Sequence, residues 1–436
     1  MNKNSSSVFL FLIGLFSWTR ITIVGRIGIA EFVCLLAGPL LFLKDYNDLR
    51  RHGLLPICWL WILVIIGCLI SSAYNHCAFS QWIRGVATPL TTFGLTVVIY
   101  HLLRNNLDGF RWLILGWSLT GIFTFVVNGA SFTALLSEEG HIGSNESAVM
   151  RMYLFAPLVL IPTRCWYTKM PTWLSFSVLM LYGLYTMMGS VSGRSASLII
   201  IAGALLILIG GKSINRMISL RKHVGVLLIG AIVFAFAAKF GYSKAATAGM
   251  LGERARIKYE QQTHGKDSML ALLMGGRIQF FAGAYAAMLQ PIVGYGPWPI
   301  DKMGVYEDFL GKYGDYEDAR VYVENLNRKG GVGEIPTHSH IVGFWVWYGV
   351  CGLILWLYVL YIIFQFFRKY IDVMPQWYGM FATLIPALLW SIFFSPFGER
   401  TETAGMIVAI LLTRAISAGK LQMGISDIME RRKYLP

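Results

Sequence analysis

Residues Thr337 to Leu355 read THSHIVGFWVWYGVCGLIL, and this stretch decides how the rest of the chain is interpreted. His338 stands where a polar segment ends and an apolar helix begins. The preceding segment, from about Phe240 to Thr337, is the long polar connection between apolar runs. Loops of that length inside compact chains are usually functional or disordered. A loop that brings a histidine to a membrane surface therefore indicates a functional site.

Outside this stretch, the composition identifies the class of protein. Of 436 residues, 56% are hydrophobic and only 14% are charged, which predicts an all-α integral membrane protein. A helix that crosses a bilayer needs about 20 mainly apolar residues. About twelve segments meet this requirement: Val8–Val24, Ile27–Leu43, Leu54–Ala73, Gln81–Leu103, Phe110–Ala130, Ala148–Tyr167, Trp173–Ser192, Ser195–Gly211, Val224–Lys239, Ile341–Phe367, Gln376–Gly398 and Thr403–Ala418.

The placement of basic residues orients these helices. An excess of Lys and Arg marks cytoplasmic connections. With both termini in the cytoplasm, the cytoplasmic segments carry most of the formal net charge of +14, including Lys44, Arg50 and Arg51. The long loop then faces outward, and its basic and acidic residues nearly balance. The basic excess therefore indicates orientation and contact with anionic lipid, not with nucleic acid.

These features divide the chain into four parts. We predict transmembrane helices 1–9 over residues 1–239 and an outer-loop subdomain over 240–337. Transmembrane helices 10–12 follow over 338–418, and a basic cytoplasmic tail covers 419–436. None of the six cysteines lies in the outer loop, so no disulfide bond can form within it.

The outer loop has a pattern of its own. Met269–Gln290 predicts a helix or a helix pair, interrupted at Gly275-Gly276 and ended by Pro291. Gly294 to Pro297 predicts a tight turn. Tyr306 to Asn325 is polar and rich in Asp, Glu and Tyr, which is compatible with another surface helix.

Arginines at the outer membrane edges are the first candidates for a functional role. A guanidinium group grips phosphate with a planar fork of donors and keeps its charge. The alternative is that these residues reach lipid headgroups or pair with acids, which we favour for Arg84, Arg151 and Arg400. Arg194 begins a predicted span and Arg277 begins the loop helix. A helix N-terminus favours an anion, so these two positions indicate function.

Histidine is the second candidate. His338 could accept a proton from a hydroxyl group near neutral pH, although a single histidine at a helix start is more often a cap or an interfacial residue. His340 lies too close in sequence to share a helix face with it. No Asp or Glu stands nearby at a ligand-like spacing, so we predict no metal site. Nucleotide-binding loops, nucleophile elbows and H-E-x-x-H are absent from the sequence.

Through these residues the chain resembles the O-antigen ligase and O-antigen polymerase superfamily of bacterial membrane glycosyltransferases. Ligases of this group carry Arg-x-x-x-Leu, which Arg194–Leu198 matches. They also carry His followed by Asn, Ser or Gln, then nine residues and Gly-x-x-Gly, which His338–Gly352 matches. An arginine-headed loop helix followed by Pro and Gly-x-Gly is similar to Arg277, Pro291 and Gly294–Gly296.

The resemblance implies a bacterial inner-membrane enzyme of lipopolysaccharide synthesis whose active site faces the periplasm. Its donor would be a glycan on undecaprenyl pyrophosphate, and its acceptor a sugar hydroxyl on lipid A–core or on another lipid-linked glycan. The reaction would invert the anomeric centre without metal or cofactor. We assign three roles: stabilisation of the pyrophosphate leaving group, acceptance of the acceptor's proton, and acceptor binding. Arg277 and Arg194 would stabilise the leaving group, with Arg84 as a helper. His338 would accept the proton, and the acceptor would be bound by Tyr295, Trp298 and His340.

Four alternatives remain. The chain could be a polymerase of the same superfamily. A secondary transporter would suit twelve spans, but Glu31 is the only acid well inside a span, and the central connection Thr163–Pro171 is short. A glycosyltransferase with a carboxylate base in its first outer loop is disfavoured, because Ser17–Gly28 contains no Asp or Glu. A non-catalytic scaffold would tolerate replacement of Arg277 and His338.

Overall fold

The computed structural model describes residues 3–16, 20–22, 26–51, 53–104, 278–313, 333–336, 339–369 and 388–395, with scattered residues in 109–119 and 240–260. Within this part the fold is helical, apart from one two-stranded sheet and an isolated bridge between Ile300 and Glu334. The predicted all-α class is thus confirmed at the level of the described elements. Most of the predicted spans between 110 and 239 and after 395 lie outside the described residues.

The N-terminal region differs from the predicted first pair of spans. Helix α1 covers Lys3–Leu15, and strands β1 (Arg20–Thr22) and β2 (Arg26–Gly28) pair antiparallel, with Arg20 opposite Gly28. The prediction of one helix over Val8–Val24 is therefore wrong. The run from Ile21 to Val24 is β-branched at every position, and such side chains favour strands over helices.

Helix α2 covers Ile29–Arg51 and extends beyond the predicted end at Leu43 into the charged segment. At its start, the Gly28 N–H donates to a carboxylate oxygen of Glu31 at 3.1 Å, which satisfies one donor of the helix terminus. Glu31 is buried there. At the charged end of α2, Asp45 and Asp48 both form ion pairs with Arg104.

Helices α3 (Leu55–Tyr74) and α4 (Phe79–Leu103) are both long and apolar enough to span a membrane. Their bounds agree with the predicted spans within two residues, because both are continuous apolar runs. Helix α2 packs closely on α4, where a Cβ added to Gly38 would lie 2.5 Å from the Cα of Gly94. Only a glycine at Gly38 allows the two backbones to approach this closely.

Two short helices belong to the outer loop. Helix α5 covers Ile278–Leu289, the second half of the helix predicted over Met269–Gln290, and the first half lies outside the described residues. Helix α6 covers Val305–Tyr313, the first part of the predicted polar helix. The carboxylate of Asp301 caps α6 by accepting hydrogen bonds from the backbone N–H groups of Val305 (2.7 Å) and Tyr306 (2.8 Å).

The predicted single span over Ile341–Phe367 is wrong, because the chain reverses at Gly349. Helix α7 covers His340–Tyr348 and helix α8 covers Val350–Lys369, and Gly349 between them has a φ of 62°. The two helices fold back on each other, so that the Phe344 ring lies 5.4 Å from that of Trp356. Trp61 of α3 joins this cluster, 6.3 Å from Phe344, and is fully buried in the core.

Candidate functional site

The structure describes some of the predicted site residues and not others. Arg84, Tyr295, Trp298 and His340 are described. The three residues that carry the proposed chemistry, Arg194, Arg277 and His338, lie outside the described residues, so their roles stay predictions. The described residues that follow Arg277, and those that flank His338, nevertheless show which elements meet near these positions in sequence.

Helix α5, which follows Arg277 in sequence, packs against the segment that leads to His338. A Cβ added to Gly283 would lie 2.6 Å from the carbonyl oxygen of Pro336 and 3.0 Å from a methyl group of Val342. Only glycine fits at position 283 without displacing one of these neighbours. The absence of a side chain there brings the backbone of α5 against the start of α7.

The start of α7 is held by Ser339, the second residue of the His-Ser motif. Its hydroxyl oxygen accepts a hydrogen bond from the Val342 N–H at 3.3 Å and donates to the Ile392 carbonyl at 2.9 Å. The first contact is an N-cap and the second ties α7 to the helical segment 388–394. The motif therefore contains a capping residue whose structural role the sequence pattern did not reveal.

Segment 388–395 also contacts α5 and the start of α7. The His340 Nδ1 donates to the Ser395 carbonyl at 2.8 Å, and the Phe280 ring of α5 lies 6.2 Å from the ring of Phe394. Three segments therefore meet: the first turns of α5, the first turn of α7 and residues 392–395. We call this meeting point the junction.

Helices α5 and α7 run in the same direction from the junction. Gly283, at the middle of α5, lies against Val342 in the first turn of α7, and the Phe280 ring in the first turn of α5 lies 6.2 Å from the ring of Phe394. The Trp345 Nε1 donates to the Pro291 carbonyl at 2.9 Å beyond the end of α5. Both N-terminal ends thus lie at the junction. The N-terminal end of a helix carries partial positive charge, so two such ends together favour an anion.

His340 has a packing role among the described contacts. It is 1% exposed, and its ring lies 5.1 Å from the ring of Trp356 in addition to its bond with Ser395. This environment suits a structural histidine at the start of a helix. Its predicted role in acceptor binding stays a prediction, without support from these contacts.

The predicted turn over Gly294 to Pro297 is present and packs on the connection between α3 and α4. Gly294 and Gly296 have φ angles of 74° and 84°, which favour glycine. The Asn75 side-chain amide donates to the Gly294 carbonyl at 2.9 Å, and the Gln81 amide donates to the Trp298 carbonyl at 3.1 Å. These two amides were not predicted as site residues, because their partners are distant in sequence.

Tyr295 and Trp298, predicted to bind the acceptor, lie on this turn. The Trp298 ring packs 4.7 Å from the Trp347 ring and remains 37% exposed. Trp298 also has a φ of 49°, an uncommon backbone conformation for a bulky residue. Tyr295 is half-buried, and burial raises the pKa of its phenol above the ordinary value. An exposed indole face and a protonated phenol suit the recognition of a sugar.

Arg84 is exposed in the first turns of α4 and lies far from the junction. The Tyr348 hydroxyl, at the end of α7, donates to the carbonyl of the adjacent Gly85 at 3.2 Å. Since α7 starts at the junction, roughly 12 Å of helix separates that level from the junction. No acid among the described residues forms an ion pair with Arg84. Its predicted help in pyrophosphate binding gains no support from this position.

Exposed polar groups of the outer loop form a separate cluster between α5 and α6. The Tyr285 hydroxyl donates to Asp308 at 2.6 Å, and the Lys312 ammonium donates to Asp308 at 2.7 Å. The hydrogen bond from Lys312 lowers the pKa of Asp308 below its ordinary value. Asp308 is therefore engaged with a cation. In the described part of the chain, no group of three or more His, Cys, Asp or Glu could hold a metal ion.

The chain was also compared with known proteins. Comparisons with protein-family models, with curated proteins and with solved structures gave no match. The resemblance to the ligase and polymerase superfamily accordingly rests on the motifs quoted above and on their order along the chain.

Proposed function

We propose that this chain is an inner-membrane glycosyltransferase that moves a glycan from undecaprenyl pyrophosphate to an acceptor sugar hydroxyl, as an O-antigen ligase acting on lipid A–core. The junction is the observation that carries the proposal. Arg277 directly precedes α5 and His338 directly precedes Ser339, and the described residues that follow them pack together. A guanidinium and an imidazole that are distant in sequence are thus attached to segments that meet.

The location at a membrane is part of the same proposal. Among the residues that the structure describes, α3 and α4 are long and apolar enough to span a bilayer. The remaining predicted spans, the cytoplasmic termini and the periplasmic loop extend this arrangement to about twelve helices. The substrate class requires it, because a polyprenyl donor and lipid A–core both reside in the membrane.

The chemistry follows from the charge that develops during transfer. The acceptor oxygen bonds to the anomeric carbon while the bond from that carbon to the pyrophosphate oxygen breaks. His338 takes the proton of the acceptor hydroxyl, and undecaprenyl pyrophosphate leaves as an anion. Arg277 and Arg194 stabilise that growing negative charge without reorganising. The N-terminal ends of α5 and α7 add to the same field.

The test is the replacement of Arg277 and of His338 by alanine in cells that lack the native gene. Each variant should reduce transfer at least about 100-fold, the usual effect of losing a charge-stabilising donor or a general base. Lipopolysaccharide gels and analysis of lipid-linked glycans measure the product. Polymer accumulating on undecaprenyl pyrophosphate, with none on lipid A–core, supports ligation, whereas lipid A–core capped by single units supports a polymerase.

Matched controls separate chemistry from folding. Arg256→Ala removes an exposed outer-loop arginine that pairs with Glu260 at 2.9 Å. His76→Asn replaces an exposed histidine with a residue that tolerates its φ of 49°. Both controls should keep full activity. Full activity in Arg277→Ala and His338→Ala as well would refute the proposal, and inhibition by a chelator reversed by Mg²⁺ would refute metal independence.

A further inference from the structure

A compact apolar patch lies at the end of α5 and in the turn that follows it. Met288, Leu289 and Ile292 are 61%, 56% and 72% exposed. We call these three residues the outer tip. Scattered apolar residues are normal on a water-facing surface, but a contiguous group of large ones indicates contact with a partner or a membrane.

The outer tip continues an apolar face of α8. The Val350 N–H donates to the Ile292 carbonyl at 3.0 Å, so the outer tip adjoins the first residue of α8. From there, large apolar residues that are at least a third exposed recur every three or four positions, which places them on one face of the helix. They are Val350, Ile354, Leu357, Tyr361 and Phe364.

The depth of this region follows from its contact with α3, a candidate span in the described part of the chain. A Cβ added to Gly67 would lie 2.9 Å from the Cβ of Cys351, so the start of α8 is level with Gly67. Gly67 precedes the end of α3 at Tyr74 by about 10 Å, at roughly 1.5 Å per residue. Since α3 matches the roughly 30 Å hydrocarbon thickness, the start of α8 falls inside the outer half of that layer.

The backbone of the turn is also suited to hydrocarbon. The carbonyl of Gln290 accepts from the Gly294 N–H at 3.1 Å, that of Pro291 from the Trp345 indole and that of Ile292 from Val350. Proline contributes no N–H of its own. Unpaired backbone polar groups are costly in lipid, and these three carbonyls are all paired.

We infer that the outer tip is embedded in the outer leaflet, where the acyl chains of membrane lipids cover it. The end of α5 opposite the junction is then anchored in the bilayer. This inference rests on the membrane location within the proposed function and not on glycosyl transfer. Exposure, continuity with α8, depth against α3 and the paired carbonyls all support the same occupant.

Spin labels test the inference in the full chain. The labels are attached through p-acetylphenylalanine, which leaves the six native cysteines in place. Positions 288 and 292 probe the outer tip, Ile70 on the exposed face of α3 serves as the membrane reference, and Lys302 serves as the water reference. The labelled proteins are reconstituted in vesicles of phosphatidylethanolamine and phosphatidylglycerol after size exclusion shows that they are folded. Accessibility is measured to oxygen, which concentrates in hydrocarbon, and to a water-soluble nickel chelate.

The ratio of oxygen accessibility to nickel-chelate accessibility at positions 288 and 292 should equal the ratio at Ile70. It should be at least about tenfold above the ratio at Lys302, because the hydrocarbon layer excludes the chelate. Nickel access at 288 and 292 with oxygen access at Ile70 would overturn the inference and leave the membrane location intact. Nickel access at Ile70 as well would overturn the membrane location itself. Exclusion of both reagents at 288 and 292 would mean that protein, such as a second copy, covers the patch, and would also overturn it.

Discussion

At the scale of single residues, two glycines decide how the turn after α5 meets α7 and α8. Gly349 ends α7 with a φ of 62°, and Gly294 in the outer-loop turn has a φ of 74°. A Cβ on Gly294 would lie 2.6 Å from the Gly349 nitrogen, and a Cβ on Gly349 would collide with the Ile292 carbonyl. Each glycine thus provides both a left-handed backbone and the space that the other segment occupies.

Replacing Gly349 by alanine tests this role. The left-handed conformation and the collision with Ile292 should lower the free energy of unfolding by about 2 kcal/mol or more. Thermal unfolding in detergent, followed by size-exclusion chromatography, measures the change. Gly311→Ala in α6 is the control, since a Cβ there meets nothing within 4 Å. It should be neutral or stabilise by up to about 1 kcal/mol, and equal losses in both variants would contradict the account.

At the scale of elements, α2 and α4 are joined by a buried charge cluster as well as by close backbone packing. The carboxylate of Asp45, of which 2% is exposed, accepts from Arg104 at 2.7 Å and pairs with His101. The same guanidinium binds Asp48 at 2.8 Å, but 41% of the Asp48 side chain is exposed. The two aspartates therefore share one partner in very different surroundings.

This pair offers an internal comparison. Asp45→Asn leaves Arg104 without its buried counter-charge, which should cost about 3 kcal/mol of unfolding free energy. Asp48→Asn removes a largely solvated ion pair and should cost less than about 1 kcal/mol. Denaturation of the two purified variants beside the parent protein measures both values. Equal losses would show that burial does not set the strength of this cluster.

At the scale of the whole molecule, the α3–α4 hairpin sets the orientation that the proposed function requires. The basic residues Lys44, Arg50 and Arg51 precede α3, and the turn from Gly294 to Trp298 packs on the connection between α3 and α4. The positive-inside rule places the first segment in the cytoplasm and the second outside. The outer-loop turn and the α3–α4 connection then lie on the same side of the membrane.

Reporter fusions test this orientation. Alkaline phosphatase, which is active only outside the cytoplasm, should be active when fused after His76 and inactive after Gly53 or Pro436. Green fluorescent protein, which fluoresces only inside, should give the opposite pattern. Activity of phosphatase after Gly53 would invert the topology and contradict this orientation.

Part of this fold could be predicted from local sequence. The bounds of α3 and α4 were predicted within two residues, because hydropathy over twenty residues is enough to recognise a long apolar helix. The turn at Gly294 was also predicted, since closely spaced glycines and proline favour a tight turn. The reversal at Gly349 was missed, because the apolar run continues through it and hydropathy alone does not detect a change of direction.

The amino-acid sequence alone determined the apolar, helical character of this protein, its basic excess and the position of its polar outer loop. These features are sums of local residue properties, so they can be predicted without knowledge of the tertiary contacts. Only the tertiary structure decided that α7 folds back on α8, and that the starts of α5 and α7 meet residues 392–395. Those results depend on contacts between distant segments, such as Gly283 with Pro336 and Ser339 with Ile392, which no local pattern encodes.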